Sequence, residues 1–133
     1  MCCILQGSVN GIRIEINGKY AADLNLDDYD VICKLKDSAI GLVKLQKEKT
    51  KAVKKLSGSI LFDRLRQLHA EMEALLDDAL NGPGCENLGI CGIVGSMASN
   101  GCPVWYNILT PIFDAVGAEK KMEIRAALNR YKG

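Results

Sequence analysis

Aromatic residues make up only 5% of the 133-residue chain, the formal net charge is +1, and there is one histidine. Each scarcity narrows the function. Few aromatics leave little with which to build a stacking platform for bases. A balanced charge gives no global field to steer the protein to DNA, RNA or a membrane surface. The single histidine, His69, lies beside an apolar helix seam with no nucleophile signature near it and no identifiable third group to orient it. It therefore reads as a helix-surface residue rather than half of a Cys–His pair.

Long apolar runs are also missing. The longest uncharged stretch, Asn87 to Phe113, is interrupted by Asn100, Gly101, Pro103, Asn107 and Pro111. It reads as a buried helix, a loop and a second helix rather than as a span of ~18 apolar residues through a bilayer. Met1-Cys2-Cys3-Ile4-Leu5 lacks a basic n-region and is followed at once by polar residues, so no secretory signal or lipid anchor is expected. The six cysteines contain no C-x-x-C pair, and the spacing of Cys85, Cys91 and Cys102 matches no zinc ribbon or finger. They are expected to be reduced thiols without metal, in a cytoplasm. Gly82, Gly84, Gly89, Gly92 and Gly95 form neither G-x-G-x-x-G after a strand nor G-x-x-x-x-G-K-[ST]. No catalytic residue and no cofactor are expected, and the chain reads as a non-enzyme.

What is present is structural. Ile12-Arg13-Ile14-Glu15-Ile16 alternates apolar and charged residues, with Asn10-Gly11 before it and Asn17-Gly18 after it. Asn-Gly suits a two-residue type I′ turn. The first ~24 residues are therefore expected to form a hairpin or small antiparallel meander, turning at Asn17-Gly18. A helix is expected over 27–56, capped by Asn25 or Asp27, with Asp27, Asp28 and Asp30 at its positive end. Tyr29, Val31, Cys33 and Leu35 also alternate as a strand would, but Ile32, Leu35, Ala39 and Leu42 carry the longer helical pattern.

Ser57-Gly58-Ser59 marks a break. Beyond it Leu61, Leu65, Leu68, Met72, Leu75 and Ala79 form a seam of nearly three heptads. Asn81-Gly82-Pro83-Gly84 should end that helix, with a glycine taking the left-handed position. Glu71, Glu73, Asp77 and Asp78 lie toward its C-terminus, the wrong sign for the macrodipole, which suggests another use for them. Gly92, Gly95 and Ser96, among Ile90, Ile93, Val94 and Met97, suit a short helix packed closely on a neighbour. Asn100-Gly101 reads as a turn, and Thr110-Pro111 as the start of a last helix running toward Tyr131, with Ile124 and Leu128 on one face.

The strongest charge feature is a basic stripe: Lys44, Lys47, Lys51, Lys54 and Lys55 recur at helical spacing. It suits an acidic protein surface or nucleic acid. It equally suits a solvated helix face whose counter-charges lie on Glu71 to Asp78.

Ile16-Asn17-Gly18-Lys19-Tyr20, then Asp23-Leu24, then Asp28-Tyr29-Asp30 opening a long Lys/Glu-rich helix, resembles small tail assembly chaperones of long-tailed bacteriophages, including those of prophages. Glu73-Ala74-Leu75-Leu76-Asp77-Asp78-Ala79-Leu80-Asn81-Gly82 is similar to the acidic, Gly-terminated end of that family's second helix, and a final helix over Val104 to Ala118 also fits. The extra first strand, the cysteines and the Gly/Ser-rich segment 89–101 depart from the pattern. The resemblance implies a non-enzymatic protein that holds the long helical tape measure protein soluble until tail tube subunits polymerise around it.

The expectation is thus an α+β, mostly α protein of one domain over 1–133, with a β-hairpin/meander over 1–24 and a helical region over 25–133. Its expected partner-binding residues are Leu61, Leu65, Leu68, Met72, Leu75, Lys44, Lys47 and Lys51. The expected partners are a phage tape measure or tail tube protein, or a host target protein, together with self-association into a homo-oligomer. Membrane and nucleic acid are not expected. The alternative is a small phage-encoded inhibitor of a host defence system, acting by protein binding or as a nucleotide or nucleic-acid mimic.

Overall fold

The computed structural model describes the backbone of residues 3–8 and 11–115 and the side chains of residues 13–115. It is an α+β fold, mostly α. Three strands, β1 (Cys3–Ser8), β2 (Gly11–Ile16) and β3 (Lys19–Leu24), form an antiparallel meander in the order β1-β2-β3. Asn17 (φ 53°) and Gly18 (φ 77°) both take positive φ in the β2–β3 turn, as a type I′ turn requires. Ile14 and Ile16 face the core while Arg13 points out, paired with Glu15 at 2.8 Å and lying over the Tyr20 ring at 4.5 Å.

A bulge breaks strict alternation in β3. Ile14 pairs with Ala22 and Glu15 with Tyr20, leaving Ala21 extra. Both Ala21 and Ala22 are consequently buried, and two small side chains in succession allow it.

Helix α1 (Tyr29–Lys55) is capped by Asp28 rather than by the expected Asn25 or Asp27: the Asp28 carboxylate accepts the Asp30 N–H at 2.9 Å, while the Asn25 side chain accepts the Asp27 N–H in the turn before the helix. Helix α2 (Gly58–Leu80) follows after only Leu56 and Ser57, so the two helices run antiparallel. Glu48 meets Arg64 near the connection, and Gly41 meets Leu75 further along. A methyl group on Gly41 would lie 2.8 Å from Leu75 Cδ1, so this glycine sets how closely the helices approach. The left-handed residue ending α2 is Asn81 (φ 55°, ψ 42°) rather than a glycine. Asparagine tolerates that region, and the cap N–H reaches Asp77 O and Asp78 O.

Two expectations for the C-terminal third are corrected. Only α3 (Gly84–Leu88) is helical in the Gly-rich region; residues 89–103 are turns and bends with one isolated antiparallel bridge, Met97 to Pro103, and positive φ at Gly89, Gly92 and Gly101. The anticipated helix around Ile90 to Met97 fails because Gly89 and Gly92 take left-handed backbone and reverse the chain. The close packing holds: a methyl group on Gly95 would collide with the Met72 sulfur. Second, α4 (Val104–Asp114) starts after Pro103, not after Thr110. Its first N–H groups are claimed by the loop, Val104 N–H by Ser96 O at 3.0 Å and Trp105 N–H by Val94 O at 3.1 Å. Pro111 sits inside the helix and the Thr110 hydroxyl donates to Tyr106 O. The reading that carried the last helix toward Tyr131 falls, past Ala115, outside the described residues.

Trp105, Ile108, Leu109, Ile112 and Phe113 of α4 pack with the inner faces of α1, α2 and the sheet into one core. Among the described residues no helix is long and apolar enough to cross a membrane.

Candidate interaction surface

The α1–α2 pair forms a two-helix platform covered unevenly. On α1 the steps of four and three run Leu35, Ala39, Leu42, Gln46, Lys49, Val53. On α2 they run Leu76, Met72, His69, Leu65, Phe62. Gln46 and Lys49 of the first series and Met72 and His69 of the second meet a third layer, made by the 89–103 loop and the start of α4. The cover is fastened at Gln46 and Lys49. Trp105 Nε1–H donates to Gln46 Oε1 at 3.1 Å, Gln46 Nε2 donates to Gly95 O at 3.3 Å, and Lys49 Nζ donates to the same carbonyl at 2.9 Å. Gln46 is thereby the buried polar side chain that joins α1, the loop and α4, and its bonds repay its desolvation.

Seven residues past Gln46, Val53 is 55% exposed; seven before His69, Phe62 is 65% exposed. Both are in phase with residues that the third layer covers, two helical turns further toward the Leu56-Ser57 connection. Each series thus passes Gln46, Lys49 or His69 and ends beyond its cover in an exposed apolar side chain. Ile60, 66% exposed, projects from a different side of α2.

The expected partner-binding residues separate by burial. Leu68 and Met72 are fully buried and pack within the fold. They are core residues, not contacts for a partner. Leu61, Leu65 and Leu75 are half-buried, Leu75 against Gly41, and only Leu61 and Leu65 lie at the open end. Lys44, Lys47 and Lys51 are all exposed along one flank of α1, and Lys47 and Lys51 border a shallow depression with Gln46 and Thr50. The seam reading missed Phe62 because it followed the leucines facing α1; a second count at the same period, from His69 back by seven, reaches it.

Beside the open end, a cleft of about 380 Å³ is lined by Leu65, Arg66, His69, Ala70, Glu73 and Gly92. His69 is half-buried here, not on a free helix surface. Burial, then the nearby Lys49 charge, hold its pKa below the ordinary value, opposed by a bond to the Gly92 backbone and by Glu73.

The carboxylates on this side of α2 serve the loop. Glu73 Oε1 accepts the Gly92 N–H, and Asp77 Oδ1 accepts the Cys85 N–H at 2.9 Å, in the first turn of α3. Their position at the wrong end of the α2 dipole is explained by these bonds. Burial above all, then Asp77 and Glu73, push the Cys85 thiol far up, so it stays protonated. Cys33, Cys85, Cys91 and Cys102 are free thiols, and among the described residues no three His, Cys, Asp or Glu side chains are grouped to hold a metal.

Compared with protein-family models, with curated proteins and with solved structures, the chain gives no match in any of the three.

Proposed function

We propose that the protein is a non-enzymatic binding protein that covers apolar helical segments of a client, acting as a phage tail assembly chaperone with the tape measure protein as client. The observation that carries this reading is the uncovered end of the α1–α2 platform, where Val53 and Phe62 continue a core-facing stripe into solvent. Two antiparallel helices with an apolar stripe between them can accept a third amphipathic helix in the groove. Glu73, the carboxylate that lines the cleft beside this end, is engaged by the Gly92 N–H. The order of hairpin, acidic cap and long basic helix supports the same assignment by resemblance.

Co-expression with the long helical tail protein of the neighbouring gene tests it. The wild-type chain should raise the soluble fraction of that client, and light scattering at high protein concentration should report self-association. If the client is no more soluble than with an empty vector and the chain runs as a strict monomer, the chaperone reading fails. The inhibitor reading, supported by the exposed flank of Lys44, Lys47 and Lys51, then moves ahead.

A further inference from the structure

The charge around the open end is lopsided. Residues 47–66 contain seven lysines and arginines and two carboxylates, in a chain whose formal net charge is only +1. Both carboxylates are already engaged: Glu48 lies 3.4 Å from Arg64, and Asp63 lies 3.9 Å from Arg66. Lys47 and Lys54, seven apart, share the α1 flank beside Val53, and Arg66, four after Phe62, stands on the α2 flank. The apolar stripe is therefore flanked by Lys47 and Lys54 on the α1 side and by the Asp63–Arg66 pair on the α2 side.

We propose that this end of the platform docks an acidic amphipathic helix, its apolar face on Val53, Leu65 and Phe62 and its carboxylates against Lys47, Lys54 and Arg66. The inference rests on the reading of the protein as a binder of helical clients and specifies the client's charge. Charge complementarity selects this occupant. Two copies meeting end to end would set one cationic flank against another, which costs affinity and slows encounter. The sequence of residues 116–133 holds five lysines and arginines against two glutamates, so it too has the wrong sign. A helix with acidic flanks satisfies the stripe and its cations together.

The test uses the full chain and two dye-labelled helical peptides of ~20 residues with the same apolar heptads, one with glutamate flanks and one with lysine flanks, read by fluorescence anisotropy. The acidic peptide should bind at least about tenfold more tightly than the basic one, and its affinity should fall as salt rises. Phe62→Asp and Val53→Asp should each weaken it at least about tenfold with an unchanged thermal melt, because both positions are exposed in the free protein. Lys47→Glu with Lys54→Glu should shift the preference toward the basic peptide, an outcome that general unfolding cannot produce. Equal affinity for the two peptides, or binding unaffected by Phe62→Asp, overturns the proposal. So does capture by anionic phosphatidylserine vesicles without peptide binding, or a dimer that Phe62→Asp dissolves, since each places a different occupant on the stripe. If neither peptide binds while the co-expressed client stays soluble, the docking proposal alone fails; if the acidic peptide binds and the client precipitates, the chaperone reading alone fails.

Discussion

His69 illustrates how one side chain is altered by what the fold places over it. The loop at Gly95 closes on it so tightly that a methyl group on that glycine would lie 3.4 Å from His69 Nε2, and Lys49 adds a like charge. Its folded pKa therefore lies below the ordinary 6.5. Below about that value the unfolded chain binds a proton that the folded one resists, so stability is full above it and is lost as pH falls. The expected outcome is a lower urea midpoint at pH 5.5 than at pH 7.5, with the difference reduced in His69→Gln. A slope that persists unchanged in His69→Gln would place its origin elsewhere. Gly95 itself is fixed by contact rather than by backbone angle, since any side chain there meets Met72.

At the scale of elements, local chemistry and tertiary contact divide the chain. The meander and α1 were legible because their signals are short-range: Asn17-Gly18 supplies two positive-φ residues, and Asp28 caps the residues next to it. Segment 89–103 was not, because its path is held from a distance, by Gln46 and Lys49 on Gly95 O and by Glu73 on Gly92 N–H. The same holds for α4, whose start depends on carbonyls of Val94 and Ser96 rather than on a capping side chain of its own. The open surface was half legible: the leucine seam located the helix, but Leu68 and Met72 turned inward and Phe62 took the exposed place. Helix α3 shows the dependence in energetic form. Pro83 precedes it and provides no side-chain cap, and Asp77 of α2 supplies the acceptor from outside. Asp77→Ala leaves the Cys85 N–H without it and should cost about 1–2 kcal/mol in urea unfolding, with Asp77→Asn losing less.

For the molecule as a whole, the layers share one core, and Leu68 lies fully enclosed within it. Leu68→Ala should destabilise by about 2–5 kcal/mol, measured by loss of helical circular dichroism in urea, whereas Phe62→Ala, at a position already open to solvent, should cost far less. The ordering of those two losses separates core from exposed surface without any partner in hand. The fastening at Gln46 has one more consequence. Trp105 is the chain's only tryptophan, fully enclosed, with its indole N–H bonded to Gln46 where the third layer meets α1. The protein thus contains an intrinsic optical gauge of whether its lid is seated. A guest that merely extends the existing layer beyond Gly95 leaves the indole emission blue and unshifted, while one that displaces α4 turns it red, so the colour of a single residue distinguishes addition from replacement.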